Sequence, residues 1–371
     1  MRFTELDFLR GLCLVLMTID HFGDVGIVRF FGFFSPADGF VFISGIVAGI
    51  VYTKRLINSS YEELKSSALK RALQIYKYHI LCLLCLCLLI LSGNEFIVGF
   101  YKTNAGFFVE NVFLAGLLNA LFLYKIYHLD ILPLYVVFVL LIPFALKTTV
   151  KYGPRVILFI SGSLWTMNLF GLTDWIYLEL NKVIPVRLGE FQVLSWQFLF
   201  FLGFYLSYLQ TKGSLNISFK RNSYLFYSLV ILVLMFCLKW AGLSDHLTDN
   251  AASILVGRSR LGILRIIDFL ALSYFLGYLL TKYRWLGNNK TVQLLGRHSL
   301  YVFTFQTLFL FLFIPFYHEY FIYGLLADVS KNTMMWKLLA LIVTLPLSLI
   351  IILPARYRED LMIRKRILKP S

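Results

Sequence analysis

The sequence predicts an all-α integral membrane protein, with about ten transmembrane helices around a through-membrane cavity and both termini in the cytoplasm. Of its 371 residues, 59% are hydrophobic and only 15% are charged, which is too apolar for a water-soluble domain. The apolar runs are each close to the roughly 17–25 residues that a bilayer requires, and basic loops separate them. Because lipid offers the backbone no hydrogen bonds, each run is expected to be a helix. Residues 1–371 are therefore predicted to form one polytopic domain, with a basic cytoplasmic tail at 355–371.

The order of apolar segments and basic loops gives the topology. One further stretch, about 108–124, is apolar but runs into the polar end Tyr124–His128, so it is interpreted as an amphipathic or re-entrant piece. With an even number of spans and the N-terminus inside, most Lys and Arg residues lie on the cytoplasmic side, as the positive-inside rule requires. The ten predicted spans are roughly 6–28, 38–53, 74–92, 131–147, 155–172, 193–210, 223–241, 263–281, 296–317 and 335–354.

Composition excludes several classes of function. The net charge of +15 is distributed over the loops between apolar runs, and no nucleic-acid-binding motif accompanies it, so the expected partner is the lipid bilayer and not nucleic acid. The spacing of Cys82, Cys85 and Cys87 is similar to that of metal ligands, but these residues lie in an apolar run in which cysteine serves as a small hydrophobe. We expect no metal and no disulfides. Acidic residues within the first apolar run favour a retained helix over a cleaved signal peptide.

The first segment carries the strongest functional signal, because it holds Asp7, Arg10, Asp20, His21 and Asp24 among apolar residues. An ionisable side chain at mid-membrane costs roughly 2.5–3.5 kcal/mol, so such residues usually mark a functional site. His21 is expected near mid-membrane, oriented by Asp20 or Asp24 in a base-catalysis arrangement. Arg10 lies on nearly the same helix face, about 16 Å away at the cytoplasmic mouth, where Asp7 can pair with it.

This arrangement matches the shape of coenzyme A. Its phosphates would sit against Arg10 and against Lys70 and Arg71 of the first basic loop, while the thioester reaches inward to His21. Two other interpretations use the same residues. A proton-coupled transporter or flippase would use Asp20, His21 and Asp24 as a proton relay, and in a structural scaffold His21 would only hydrogen-bond a neighbouring helix.

Several motifs resemble those of the transmembrane acyltransferase superfamily. The spacing of Arg10 and His21 is the hallmark of its acyltransferase-3 members, to which the heparan glucosaminide N-acetyltransferase is related. The likeness is greatest to the OpgC-type branch and covers nearly the whole chain. The matching motifs are Leu6–Gly11, Ile19–His21, Phe40–Gly45, Asp130–Tyr135, Trp196–Gln197 and Leu295–Leu300.

The resemblance implies a function. Such proteins sit in the bacterial inner membrane and move an acyl group, succinyl or acetyl, from cytoplasmic acyl-CoA to a glycan on the far side. In the OpgC branch the acceptor is osmoregulated periplasmic glucan and the group is typically succinyl. His21 would then be the general base or a transient acyl carrier, and Arg10 would serve the CoA side. The family's acid before Phe-Val-Phe is expected to be Glu, whereas this chain has Asp38, which leaves the acceptor open.

The remaining candidates each carry two interpretations. Asp130 either caps a helix or contacts the acceptor, and Trp196 with Gln197 either anchors and bonds neighbouring helices or lines the cavity. Arg297 and His298 either contact CoA phosphate or form a positive-inside flank.

The Phe42–Gly45 motif is expected to let two helices approach closely. Its serine has no histidine of its own, so it is a poor nucleophile.

Overall fold

The computed structural model describes residues 4–23, 30–126, 128–215, 218–317, 320, 341–342, 345–346 and 349–367. These residues are 81% helical and include no β-strand, which confirms the all-α part of the predicted fold class. The α-helices are α1 Thr4–Gly23, α2 Pro36–Asn58, α3 Tyr61–Leu91, α4 Glu95–Glu110, α5 Val112–Ala120, α6 Ile131–Tyr152, α7 Arg155–Leu169, α8 Leu172–Leu180, α9 Val193–Thr211, α10 Asn222–Trp240, α11 Asp249–Leu255, α12 Ile263–Lys282, α13 Lys290–Arg297, α14 Ser299–Tyr317 and α15 Ile352–Ile367.

Seven of the described helices are long and apolar enough to cross a membrane: α2, α3, α6, α9, α10, α12 and α14. The pair α7 and α8, bent by 63°, adds an eighth if it counts as one broken span. Helix α1 is not among them because Asp7, Arg10 and Asp20 interrupt its apolar run. Helix α1, the seven apolar helices and the α7–α8 pair together correspond to nine of the predicted segments. Most of the tenth segment, 335–354, lies outside the described residues. The count of ten and the cytoplasmic termini stay predictions.

The ambiguous stretch at 108–124 forms no span. It covers the end of α4 and all of α5, and α5 has only 9 residues, or about 14 Å of helix. Both helices pack against α3 through a second hydrophobic core that is built around Leu86, Phe108 and Ala115. The chain then turns into an irregular loop that leads to α6. This loop supplies part of the site described below.

Helices α2 and α9 approach closely through glycine. A Cβ atom on Gly45 would overlap the carbonyl oxygen of Phe200, and one on Gly203 would overlap the carbonyl oxygen of Phe42. Small residues permit this close contact between membrane helices. Van der Waals packing must stabilise such contacts, because helices in lipid have no hydrophobic driving force to associate. The interpretation of the Phe42–Gly45 motif as a packing motif is confirmed.

A second close contact joins α1 to α13. A Cβ atom on Gly11 would overlap the carbonyl oxygen of Val292, and one on Gly296 would overlap the carbonyl oxygen of Asp7. Beside this contact, Nη2 of Arg10 donates a hydrogen bond of 2.6 Å to Oγ of Ser299 at the start of α14. Two motifs almost 290 residues apart in sequence therefore form one structural unit.

Candidate active site

Two cavities lie on the same helices, one above the other. The Arg10 cavity, of about 360 Å³, is lined by Arg10, Ser44, Tyr52, Arg55, Arg71, Tyr135, Ser299 and apolar side chains. The His21 cavity, of about 230 Å³, is lined by Asp20, His21, His128, Asp130, Glu190, Arg258, Gln306, Thr307 and apolar side chains. Ile131 and Phe303 line both cavities. These two apolar side chains, called the partition below, lie where the two cavities adjoin, and the single through-membrane cavity stays a prediction.

The Arg10 cavity brings together three arginines from three parts of the sequence. Arg10 hydrogen-bonds Ser299, and its guanidinium lies 5.6 Å from the centre of the Phe40 ring. Arg71 also lines the cavity, as predicted, and donates a 2.8 Å hydrogen bond to Oε1 of Gln74. Arg55 is the third, whereas Lys70 is exposed and is not in the lining. The cavity combines an apolar interior with concentrated positive charge.

In the His21 cavity two histidines face each other. The rings of His21 and His128 are in T-shaped contact, with centroids 4.5 Å apart and an interplanar angle of 89°. His21 is in the last turn of α1 as described, Thr4–Gly23, and its expected depth near mid-membrane stays a prediction. Asp20 lines the same cavity, whereas Asp24 lies outside the described residues. An imidazole beside carboxylates can accept and return a proton.

His128 comes from the irregular loop between α5 and α6 and has a φ of 66°, in the left-handed region. Few residues other than glycine adopt this conformation, and it persists where the surrounding structure enforces it. Burial lowers the pKa of the His128 imidazole well below its usual range, and the nearby His21 and Arg258 lower it further. Burial and the two neighbouring groups therefore favour the neutral form of the ring.

Asp130 belongs to the cavity and not to a helix cap. It precedes α6, but its side chain makes no capping hydrogen bond, and Oδ2 accepts a 2.9 Å hydrogen bond from the backbone N–H of Glu190. Burial raises the pKa of Asp130, while the charges of Lys125 and Arg258 oppose that shift. Asp130 therefore lines the His21 cavity without capping α6, and its contact with the acceptor stays a prediction.

Three loops are bonded to each other around this cavity. An isolated β-bridge pairs Tyr124 with Arg187, and the backbone N–H of Lys125 donates to the carbonyl of Arg187 at 3.0 Å. The third loop, which holds Arg258, is fixed because Nε1 of Trp196 donates a 3.1 Å hydrogen bond to the carbonyl of Arg258. Trp196 is fully buried and lines neither cavity, so its observed role is to hold this loop.

Arg258 brings a positive charge into a cavity that also holds carboxylates. Its guanidinium lies 4.9 Å from the centre of the Phe191 ring, and its Nε has no hydrogen-bond partner among the described residues. Burial lowers the pKa of the Arg258 guanidinium, whereas the carboxylates of Glu190 and Asp130 raise it. The Arg258 guanidinium thus lies among carboxylates with one donor that no described residue uses.

Two further predicted site residues, Asp38 and Gln197, are not in the lining of either cavity. Asp38 is fully buried at the start of α2, where Oδ2 pairs with Nη2 of Arg265 at 2.8 Å and accepts from the Ser35 backbone N–H at 2.5 Å. Gln197 bonds α9 to α7, since it accepts from the Ser161 hydroxyl at 2.7 Å and donates to the Ser161 carbonyl at 2.8 Å. Both side chains have full sets of structural contacts.

Arg297 and His298 are bound by the C-terminal helix. Nη1 of Arg297 lies 2.8 Å from Oε1 of Glu359, and Nε2 of His298 lies 2.7 Å from Oε2 of the same carboxylate. Neither residue lines the Arg10 cavity, although Ser299, which immediately follows, does. The observed role of the pair is to attach α15 to the start of α14.

Sequence reasoning missed four residues of the His21 cavity: His128, Glu190, Arg258 and Gln306. His128 could have been noticed, because it ends a stretch that was too polar to be a span. Glu190 and Arg258 lie in loops without periodicity, and Gln306 is one polar residue in an apolar helix. No group of three or more metal-ligating side chains with suitable geometry occurs in the described part of the chain.

One protein-family model, described as OpgC protein, matches residues 2–355, which is essentially the whole chain. No curated protein and no solved structure gave a significant match.

Proposed function

This chain belongs to the OpgC family, and on that premise we propose that it is an acyl-CoA-dependent O-acyltransferase acting on an extracytoplasmic glycan. Family membership implies a transferase, and the seven apolar helices indicate a membrane protein. The acyl-CoA donor, the glycan acceptor and the location in the bacterial inner membrane are parts of the proposal.

The observation that carries the proposal is the pair of cavities on either side of Ile131 and Phe303. A donor and an acceptor that approach from opposite sides of a membrane need two entrances and one meeting point. The Arg10 cavity offers positive charge and the His21 cavity offers titratable groups. The partition between them is where a thioester would have to arrive.

The donor would enter the Arg10 cavity from the cytoplasm. Arg10, Arg55 and Arg71 supply the charge-assisted, fork-shaped hydrogen bonds that suit phosphate groups. The apolar lining beyond them suits the neutral pantetheine arm. Eleven residues of α1 separate Arg10 from His21, which corresponds to about 16 Å of helix for that arm to cover.

The acyl transfer would take place at His21. Its imidazole takes the proton of a glycan hydroxyl as that oxygen attacks the thioester carbon; the new C–O bond forms, the C–S bond breaks, and the CoA thiolate recovers the proton from His21. A positioned base of this kind contributes typically about 10²–10⁴-fold. Asp20, in the same cavity, stabilises the protonated ring. A two-step route through acylated His21 uses the same residues.

The transferred group is proposed to be succinyl, because Arg258 lies in the His21 cavity with one donor unused by the described residues. A guanidinium there would pair with the distal carboxylate of a succinyl group, which acetyl lacks. The carboxylates of Asp130 and Glu190 would accept hydrogen bonds from sugar hydroxyls.

The test is transfer of label from radioactive succinyl-CoA to periplasmic glucan, by membranes that contain the protein. We expect His21→Ala to lose transfer by at least about 100-fold while the protein still inserts. The matched control is His246→Ala, because His246 is exposed and outside both cavities.

Two outcomes would contradict the proposal. If the wild-type protein neither binds CoA nor transfers label, yet moves substrate down a pH gradient, it is a transporter that uses the same cluster as a proton relay. If His21→Ala is as active as the wild type, the cluster has a structural role only.

A further inference from the structure

Gln306 carries a buried amide that makes no hydrogen bond with any other described residue. It lies on α14, is 2% exposed and lines the His21 cavity. Neither Nε2 nor Oε1 has a hydrogen-bond partner among the described residues. Leaving a buried polar group unsatisfied costs about 1–3 kcal/mol, so its presence there calls for an explanation other than stability.

Two other buried polar side chains differ from Gln306 in this respect. The hydroxyl of Thr307, which lines the same cavity, donates to the carbonyl of Phe303 one turn earlier at 3.0 Å. Gln197, the buried glutamine of α9, both donates and accepts hydrogen bonds. Gln306 is therefore available to a ligand in the cavity, with one donor and one acceptor group.

The position of Gln306 along the bundle is informative. Helices α1 and α14 are aligned where Arg10 bonds Ser299. From that level Gln306 lies seven residues, or about 10 Å, along α14, and His21 lies eleven residues, or about 16 Å, along α1. Gln306 follows Phe303, the partition residue, by about one turn. Its amide thus occupies a level between the partition and the imidazole.

We propose that Nε2 of Gln306 donates a hydrogen bond to the carbonyl oxygen of the acyl thioester and stabilises the oxyanion that forms there. This inference rests on the proposed acyltransferase function. As the glycan oxygen attacks the thioester carbon, the π electrons of the C=O bond move onto the carbonyl oxygen. They re-form the C=O bond when the C–S bond breaks and the thiolate leaves. A donor that faces this oxygen in a cavity shielded from water stabilises the transition state more than the ground state.

The proposal is tested with Gln306→Leu, which removes both polar groups, and Gln306→Glu, which keeps the acceptor and removes the donor. We expect kcat for acyl transfer to fall about 10²–10³-fold in both variants, as when an oxyanion donor is lost elsewhere. The KM for the glycan should not change. Hydrolysis of acyl-CoA without acceptor should fall in parallel, because it passes through the same oxyanion.

Stability separates this role from a structural one. Gln306→Leu should leave the Tm in detergent unchanged or raise it, because it removes no hydrogen bond between described residues. Gln197→Leu is the matched control and should lower the Tm, because it breaks the bonds between α9 and α7.

Three results would overturn the inference. The first is a wild-type kcat in Gln306→Leu, and the second is a higher KM for the glycan at unchanged kcat, which would make Gln306 a sugar-binding residue. The third is a drop in Tm as large as that of Gln197→Leu. If the wild-type protein itself transfers no acyl group, the proposed function fails first, and this inference fails with it.

Discussion

Arg258 shares the His21 cavity with Asp130 and Glu190 and lies over the ring of Phe191. If it binds the distal carboxylate of a succinyl group, Arg258→Gln removes a charge-assisted hydrogen bond worth about 1.5–3 kcal/mol. We expect kcat/KM for succinyl-CoA to fall about 10–100-fold, with little change for acetyl-CoA. Competition between succinyl-CoA and acetyl-CoA in one reaction measures the ratio of their kcat/KM values directly.

The control for that measurement is Arg260→Gln, with folding checked by Tm. Arg260 lies two residues further along the same loop, but its guanidinium pairs with Asp174 at 2.9 Å and is not in the cavity lining. Arg260→Gln should leave the ratio of kcat/KM for succinyl-CoA and acetyl-CoA unchanged. Equal losses with both donors in Arg258→Gln would instead mean that this arginine holds the loop and does not select the acyl group.

Residue chemistry made part of the site predictable. Asp20, His21 and Arg10 were found from sequence because a charge within an apolar run is costly, and such a signal needs no neighbours. Asp38 carries the same signal, yet its charge is balanced by Arg265, which lies 227 residues away in sequence. Arg258 gave no signal, because a polar residue in a loop is ordinary until the fold places it in the same cavity as His21.

At the scale of elements, the glycine contact between α1 and α13 sets the position of Arg10. We expect Gly296→Ala to force the two backbones apart, because the added Cβ would overlap the carbonyl oxygen of Asp7. Such overpacking typically costs about 1–3 kcal/mol. The variant should have a lower Tm and, because Arg10 and Ser299 separate, weaker CoA binding.

The comparison variant is Gly99→Ala on α4. A Cβ atom at Gly99 would meet nothing within 4 Å, so both Tm and CoA binding should stay close to wild type. If Gly296→Ala behaves like Gly99→Ala, the contact between α1 and α13 does not constrain Arg10.

The attachment of α15 depends on pH through Glu359. Its hydrogen bond with His298 lowers the pKa of this carboxyl, and Arg297 lowers it further, while burial opposes them. A carboxyl whose pKa is lower in the folded state stabilises that state above the unfolded pKa, near 4.3. That stabilisation is lost as the pH falls through the folded value. Limited proteolysis should therefore release the tail more readily at acidic pH than at pH 7.

Glu359→Gln should make the tail equally sensitive at pH 7, because it removes the charge that Arg297 and His298 contact. The expected loss is about 0.2–1 kcal/mol, as for partly exposed ion pairs. Asp360→Asn is the control, since Asp360 is exposed and has no ion pair among the described residues. Tail release that does not depend on pH or on Glu359 would show that other contacts hold α15.

The helices themselves were the easiest part to predict, because each span needs only a long apolar run. Helices α9, α10 and α12 begin and end within one residue of the predicted segments, whereas α2 and α6 continue about five residues further. The predicted segment 155–172 corresponds to α7, and the bend of 63° that leads into α8 was not predicted. The bend follows from Gly171, whose φ of 90° is left-handed, and a single glycine within an apolar run does not reveal this by itself.

For the molecule as a whole, the division of the interior at Ile131 and Phe303 matters more than either cavity alone. An open channel through the bundle would let ions and water pass, whereas a partition lets only a bound group cross. The residues that line both cavities come from α6 and α14, which also carry Tyr135 and Ser299 below the partition and Gln306 above it. The same two helices, α6 and α14, therefore line the Arg10 cavity, form the partition and line the His21 cavity.

Enlarging the partition should separate donor binding from transfer. Phe303→Trp adds volume where the thioester must pass, so we expect CoA binding within a few-fold of wild type and acyl transfer reduced by at least about 10-fold, or about 1.4 kcal/mol in the barrier. Equilibrium binding of CoA and single-turnover transfer measure the two effects. Phe305→Trp is the control, because Phe305 lies on α14 outside both cavities and stacks on Phe309. Parallel loss of binding and transfer would place the thioester within the Arg10 cavity, and the reaction would then not require passage between Ile131 and Phe303.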